Sequence, residues 1–172
     1  MMTADTPAPD QDYEKTYRAI GHFIFAFSLV EFVIRAKLAE EIGLDKKHFA
    51  AVVRSYDVAL LCRVAIEVFT KSRPEANAAR IKVLIDEFLK FNDTRNRVAH
   101  GLWRPDKEGG TVNYVSRNSL KAKRFPSQVE ELEKQADGAY DLIDMLLDAF
   151  EDGRPTVEEH HGPGSRSGWE NC

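Results

Sequence analysis

The sequence predicts an all-α protein, an antiparallel four- to five-helix bundle with a short β-hairpin inserted between the third long helix and the last helix. Three observations carry this reading. Val129, Leu132, Ala136, Ala139, Ile143, Leu146 and Phe150 recur at steps of three and four residues, the spacing that lines one face of an α-helix. The series Ile20, Ile24, Phe27, Glu31, Ile34, Leu38 and Leu84, Phe88, Phe91, Arg95, Val98, Leu102 both run at steps of 4, 3, 4, 3, 4. Gly109-Gly110 then stands between two short stretches, 103–108 and 111–116, as a tight turn would.

Each element has its own signals. Residues 1–10 are acidic and contain proline; they read as a flexible leader without the basic and apolar regions of a signal peptide. The first helix spans 11–42 and stops at Gly43. Asp45 can cap the next helical segment, Ser55 interrupts it before Tyr56, and the element continues to about residue 71 with Leu60, Val64, Val68 and Phe69 on its apolar face. Pro74, after Ser72-Arg73, suits the start of a third helix that runs to about residue 102. Pro126 and Ser127 open the last helix, where Ser127 and Glu130 fit a capping box. The helical domain therefore covers 11–152. Residues 153–172 are polar and glycine-containing and read as a disordered tail.

The 172 residues are enough for one domain with its own core, and 43% hydrophobic with 30% charged residues is ordinary for a soluble globular protein. No run of about 18 apolar residues occurs, so no membrane span is expected. Two cysteines, Cys62 and Cys172, imply no disulfide framework; Cys62 lies in an apolar run as a core thiol, and the cytoplasm is the natural compartment. No Cys-x-x-Cys, His-Glu-x-x-His or Gly-x-Ser-x-Gly pattern is present. His160-His161 beside Glu158-Glu159 lack the spacing of a fixed metal site. Neither a metal nor a cofactor is expected. Asp137, Asp141, Asp144 and Asp148 form an acidic stripe that reads as a solvated face.

The net charge of −4 argues against nucleic acid, but its distribution does not. Between residues 95 and 124, eight basic side chains (Arg95, Arg97, Arg104, Lys107, Arg117, Lys121, Lys123, Arg124) meet only Asp106 and Glu108, a local +6 that leaves −10 elsewhere. A chain polarised in this way can attract a polyanion, or simply present a solvated loop. Arg97, Arg104, Lys121, Lys123 and Arg124 are the candidate RNA contacts. Trp103 and Tyr114 lie among them and can stack on bases or anchor the hairpin.

The stretch Arg95-Asn96-Arg97-Val98-Ala99-His100 holds the candidate chemistry. Histidine can move a proton near neutral pH. Arginine can hold a phosphate and offset its developing charge. Asn92, Asn96 and His100 follow one another at steps of four, a polar stripe beside the apolar seam. Arg95 and Glu31 each occupy a position where their seams should be apolar. Unpaired core charges are costly, and the simplest resolution is a Glu31–Arg95 pair between adjacent helices. A purely structural salt bridge is the competing reading.

An Arg followed by a polar residue, with a His a few positions later, resembles the motif of the HEPN domain family, and Arg95, Asn96 and His100 match its three positions. Phe27-Ser28-Leu29-Val30-Glu31, with its inward Glu, is also similar, and the resemblance covers about residues 11–152. It implies a helical bundle that forms a homodimer with two Arg–His motifs in one cleft. It further implies a metal-independent endoribonuclease in which the ribose 2′-hydroxyl attacks the adjacent phosphate. His100 would act as general base or acid, Arg95 would stabilise the phosphate and Asn96 would position it, with Glu31 and Asn92 in support. Many members are toxins or phage-defence effectors working with an antitoxin or defence partner protein. Others have lost activity and bind RNA, nucleotides or proteins. Toxin members controlled by nucleotide transfer carry a Tyr two residues after the His; here that residue is Leu102, which speaks against that form of control.

Overall fold

A computed structural model describes residues 11–53, 55–104, 111–115, 122–126 and 129–152. The leader, the tail with its His160-His161 pair, and the Ser127 capping box lie outside the described residues. Five helices form the body of the protein: α1 (Gln11–Glu41), α2 (Lys46–Val52), α3 (Val58–Ser72), α4 (Glu75–His100) and α5 (Val129–Glu151). Between α4 and α5 stand β1 (Gly101–Arg104), β2 (Thr111–Val115) and β3 (Ala122–Pro126). In place of a two-stranded hairpin, these make a three-stranded antiparallel sheet in the order β1-β2-β3.

Local chemistry sets the helix ends. Gly43 takes φ +65, a left-handed conformation that costs a residue without Cβ little. The Leu44 N–H then donates to the Ala39 carbonyl and the Gly43 N–H to the Glu40 carbonyl, the paired bonds of a Schellman ending. Asp45 caps α2 by accepting from the His48 N–H at 3.0 Å. Asp57 caps α3 by accepting from the Leu60 N–H at 2.7 Å, so the expected second element is two helices with a break at residues 53–57. Pro74 forces extended backbone on the residue before it. Arg73 accordingly sits at φ −121, ψ 154, which ends α3 and turns the chain into α4 within two residues.

Helix directions follow from pairs that touch. Phe27 stacks on Phe88 with centroids 4.7 Å apart, and Glu41 at the end of α1 meets Arg73 before the start of α4. Thus α4 runs antiparallel to α1. The Asn77 side-chain amide donates to the Ala149 carbonyl at 2.8 Å, and Phe91 lies against Gly138, so α4 is antiparallel to α5 as well. Helices α1 and α5 therefore run the same way, as the first and fifth members of an alternating series do. The dry core joins Phe23, Phe27, Ile34 and Leu38 of α1 to Leu61 and Phe69 of α3, Ile81, Ile85 and Phe88 of α4, and Leu132, Leu142 and Phe150 of α5.

The core line of α1 is in part the one periodicity suggests, since Phe27, Ile34 and Leu38 of the expected seam are buried. Phe23, Val30 and Ile34 are fully buried and Phe27 nearly so, while Ile20 and Ile24 are half-buried and Glu31 lies at the margin. On α4 the buried line is Ile81, Ile85, Phe88, Thr94, Val98, with Arg95 beside it. Helix α1 is apolar on more than its inner face. The segment Tyr13–Glu41, mean hydropathy 1.7 in its most apolar window, is long and apolar enough by length and composition to cross a membrane, contrary to the expectation that no such segment exists. Part of that apolar character is the core face of the bundle itself.

Cys62 is fully buried on α3, as a core thiol should be. Burial first, then the Glu31 and Asp86 carboxylates, push the thiol from its ordinary 9.0 up to about 12. Native Cys62 should therefore resist alkylation at mildly alkaline pH and react only on unfolding, followed by peptide mass spectrometry. Because the folded value lies above the unfolded one, the neutral thiol contributes stability in full below pH 9.0 and loses it as pH rises towards about 12. The difference in denaturant midpoint between wild type and Cys62→Ala should shrink across that window; a constant difference would contradict the assignment.

Candidate functional site

Arg95, Asn96 and His100 all stand in the last turns of α4. Arg95 and Asn96 are half-buried, and the Arg95 Nη1 donates to the Asn96 Oδ1 at 3.2 Å. Asn92, one turn below Asn96, is half-buried too, and His100 is exposed as the final residue of the helix. Five residues separate Arg95 from His100, about 7.5 Å along the axis and about 140° around it. A ligand touching both must wrap the helix end. Arg97 is turned back on its own helix, with its Nε to the Asp93 carbonyl at 3.3 Å and its Nη2 to the Thr94 hydroxyl at 3.1 Å.

The expected Glu31–Arg95 pair does not form. Glu31 takes Arg35 instead, one turn along the same helix, with the Arg35 Nη2 2.6 Å from its carboxylate. An i,i+4 partner on the same face needs no second helix to deliver it. Arg35 also donates to the Tyr56 carbonyl at 2.7 Å and to the Val53 carbonyl, tying α1 to the α2–α3 connection. This leaves Arg95 in an unusual state. Arg35 and Arg73 each meet a carboxylate. Arg95 is half-buried and, among the described residues, has no acidic partner, so most of its five donors remain open.

The chain enters β1 directly at Gly101, which is extended at φ −90, ψ 150. Backbone register then sets Gly101, Tyr114 and Lys123 in one row across the sheet, with Leu102, Asn113 and Arg124 in the next and Arg104 opposite Thr111. With strands about 4.8 Å apart, the Lys123 backbone lies roughly 10 Å from the end of α4. Lys121 lies outside the described residues. Among the described residues no group of three His, Cys, Asp or Glu side chains could hold a metal ion.

Sequence reasoning missed the ionic clasp at the opposite end of the bundle. The Arg73 guanidinium grips the Glu41 carboxylate through Nε at 3.2 Å and through Nη2, lies 5.9 Å over the Phe69 ring, and its side chain is only 3% exposed. Arg80 bridges Asp148 and Asp152, each at 2.7 Å, so one member of the acidic stripe on α5 is paired across helices. The signal available for Arg73 was its place before Pro74, which fixes its backbone between two helices. No protein-family model matches this chain, and no curated protein or solved structure shows significant similarity to it.

Proposed function

We propose that this protein is a metal-independent endoribonuclease of HEPN type, acting in the cytoplasm as a homodimer, as a toxin or phage-defence effector held in check by a partner protein. The observation that carries the reading is Arg95: a half-buried guanidinium with no described carboxylate, steadied by the Asn96 Oδ1 at 3.2 Å and followed by an exposed His100 at the helix end. An arginine of this kind suits a phosphate better than a structural partner. In the proposed step the ribose 2′-oxygen attacks phosphorus and the P–O5′ bond breaks, leaving a cyclic phosphate and a 5′-hydroxyl. His100 carries a proton to or from the reacting oxygens, Arg95 offsets charge on the phosphate, and Asn96 keeps Arg95 in place with Asn92 one turn away. Arg97, Arg104, Lys121, Lys123 and Arg124 supply positive charge for the flanking backbone.

The test is incubation of the purified chain with total RNA in the presence of EDTA, beside an Arg95→Ala/His100→Ala variant. Cleavage by the wild type alone supports the reading; intact RNA in both lanes refutes it for those substrates. A binding-only reading, in which the dimer holds RNA, a nucleotide or a protein partner without cutting, draws on the separation of about 140° between Arg95 and His100. It predicts RNA affinity that survives His100→Ala.

A further inference from the structure

Among the described residues, two buried side-chain atoms lack a hydrogen-bond partner: the Asn77 Oδ1 and the Gln135 Oε1. Asn77 is accounted for by its other atom, since the Nδ2 donates to the Ala149 carbonyl in the last turn of α5. Gln135, in the second turn of α5, has no such account. Its Nε2 donates to the Glu131 Oε1 at 3.0 Å. Turning the amide over would set its oxygen against a carboxylate, so the atom left buried is the acceptor. Native proteins rarely leave a buried acceptor open, because the desolvation of that group is then uncompensated.

Helix register shows what that acceptor faces. A Cβ on Gly138 would stand 3.6 Å from the Phe91 ring, which fixes the level of α5 against α4. Arg95 lies one turn beyond Phe91, about 6 Å along its axis, and Gln135 lies three residues before Gly138, about 4.5 Å along its own. The two helices are antiparallel, so both steps run the same way. Steps of four and of three stay on one face of each helix. Arg95 and Gln135 therefore stand at one level of the α4–α5 seam, across an axis separation that side chains of their length can span. Arg95 brings open N–H donors and Gln135 an open oxygen.

We infer that Gln135 is a positioning residue for Arg95, its Oε1 accepting a guanidinium N–H when Arg95 engages a phosphate. The oxygen is buried, so a ligand does not meet it directly, whereas the half-buried Arg95 reaches it from within the seam. With the Nη1 on the Asn96 Oδ1 and a second N–H on Gln135, the planar fork is held at two points. Its other donors are left for phosphate oxygens. The inference rests on the proposed assignment of Arg95 to a phosphate and is independent of whether RNA is cut.

The experiment follows the Arg95 guanidinium by NMR in the full chain as inorganic phosphate is added, the signal being assigned by its loss in Arg95→Lys. In the wild type, phosphate should slow the rotation of that guanidinium. Gln135→Met keeps length and packing but removes the oxygen. Phosphate should then bind about tenfold more weakly and rotation should stay fast. The urea midpoint of this variant should be level or higher, because an unpaired acceptor has been removed. Gln135→Glu sets a carboxylate at the same reach and should slow the rotation before any phosphate is added. An Arg95 signal indifferent to Gln135→Glu overturns the inference, as does phosphate affinity that is equal in wild type and Gln135→Met or absent from both. A lower midpoint in Gln135→Met overturns it too, for the oxygen would then already be satisfied by a buried water. RNA cleavage separates this inference from the nuclease. Intact RNA, with phosphate held through Gln135, refutes the nuclease alone; cleavage at equal rates by wild type and Gln135→Met refutes the inference alone.

Discussion

Arg73→Ala is expected to lower the unfolding free energy by about 3–5 kcal/mol, measured by urea denaturation with helical circular dichroism as the readout. Arg73 sits where α1, α3 and α5 end together. Its guanidinium holds the Glu41 carboxylate and reaches the Asp152 carbonyl at 3.5 Å. Alanine would leave the Glu41 carboxylate, only 15% exposed, without its counter-charge, and uncompensated charge in such a place is far more costly than the pair was favourable. The stem of Arg73 also covers Phe69, which packs on Phe150 with centroids 4.8 Å apart, so part of the loss is packing.

A double substitution separates those contributions. Arg73→Met with Glu41→Leu removes both charges and retains apolar volume, and it should recover most of what Arg73→Ala loses. If the double variant is as unstable as Arg73→Ala, the destabilisation comes from lost geometry at the α3–α4 turn rather than from an orphaned carboxylate.

The helices were legible where one face alone was apolar. The Val129–Phe150 stripe predicted α5 well, since Leu132, Ala136, Ala139, Leu146 and Phe150 are buried. On α1 the same method found part of the core side, Phe27, Ile34 and Leu38, but misplaced Glu31. Isoleucine, phenylalanine, leucine and valine surround much of that helix, so several seams satisfy the three-and-four spacing and the sequence does not choose among them. That ambiguity put Glu31 in the core and made Arg95 its partner, when Val30 holds the core position and Arg35 is within reach on the same helix. The motif residues Arg95, Asn96 and His100 were legible because they lie within two adjacent turns of one helix. What periodicity could not supply was which neighbouring helix faces them, or that the inserted segment pairs as three strands.

Arg95→Lys sets the second arginine against the first. On the reading proposed for this site, it should slow RNA cleavage by about 10²–10³-fold, because an ammonium keeps the charge but loses the planar fork that meets two phosphate oxygens at once. Folding should scarcely respond. Arg95 forms one described side-chain hydrogen bond, to its neighbour Asn96, and no described ion pair, so the change in unfolding free energy should stay below about 1 kcal/mol. Arg95→Ala should in addition reduce the salt slope of RNA binding by about 0.7, the signature of one lost phosphate contact on a single strand. Single-turnover cleavage in EDTA, a salt titration and urea unfolding measure the three quantities. A stability loss comparable with that of Arg73→Ala would make Arg95 a second structural clasp, and an unchanged rate with a wild-type salt slope would remove it from the site. Two arginines of one bundle thus carry opposite expectations: Arg73 already holds its anion, a buried carboxylate, whereas the half-buried donors of Arg95 face no described acid.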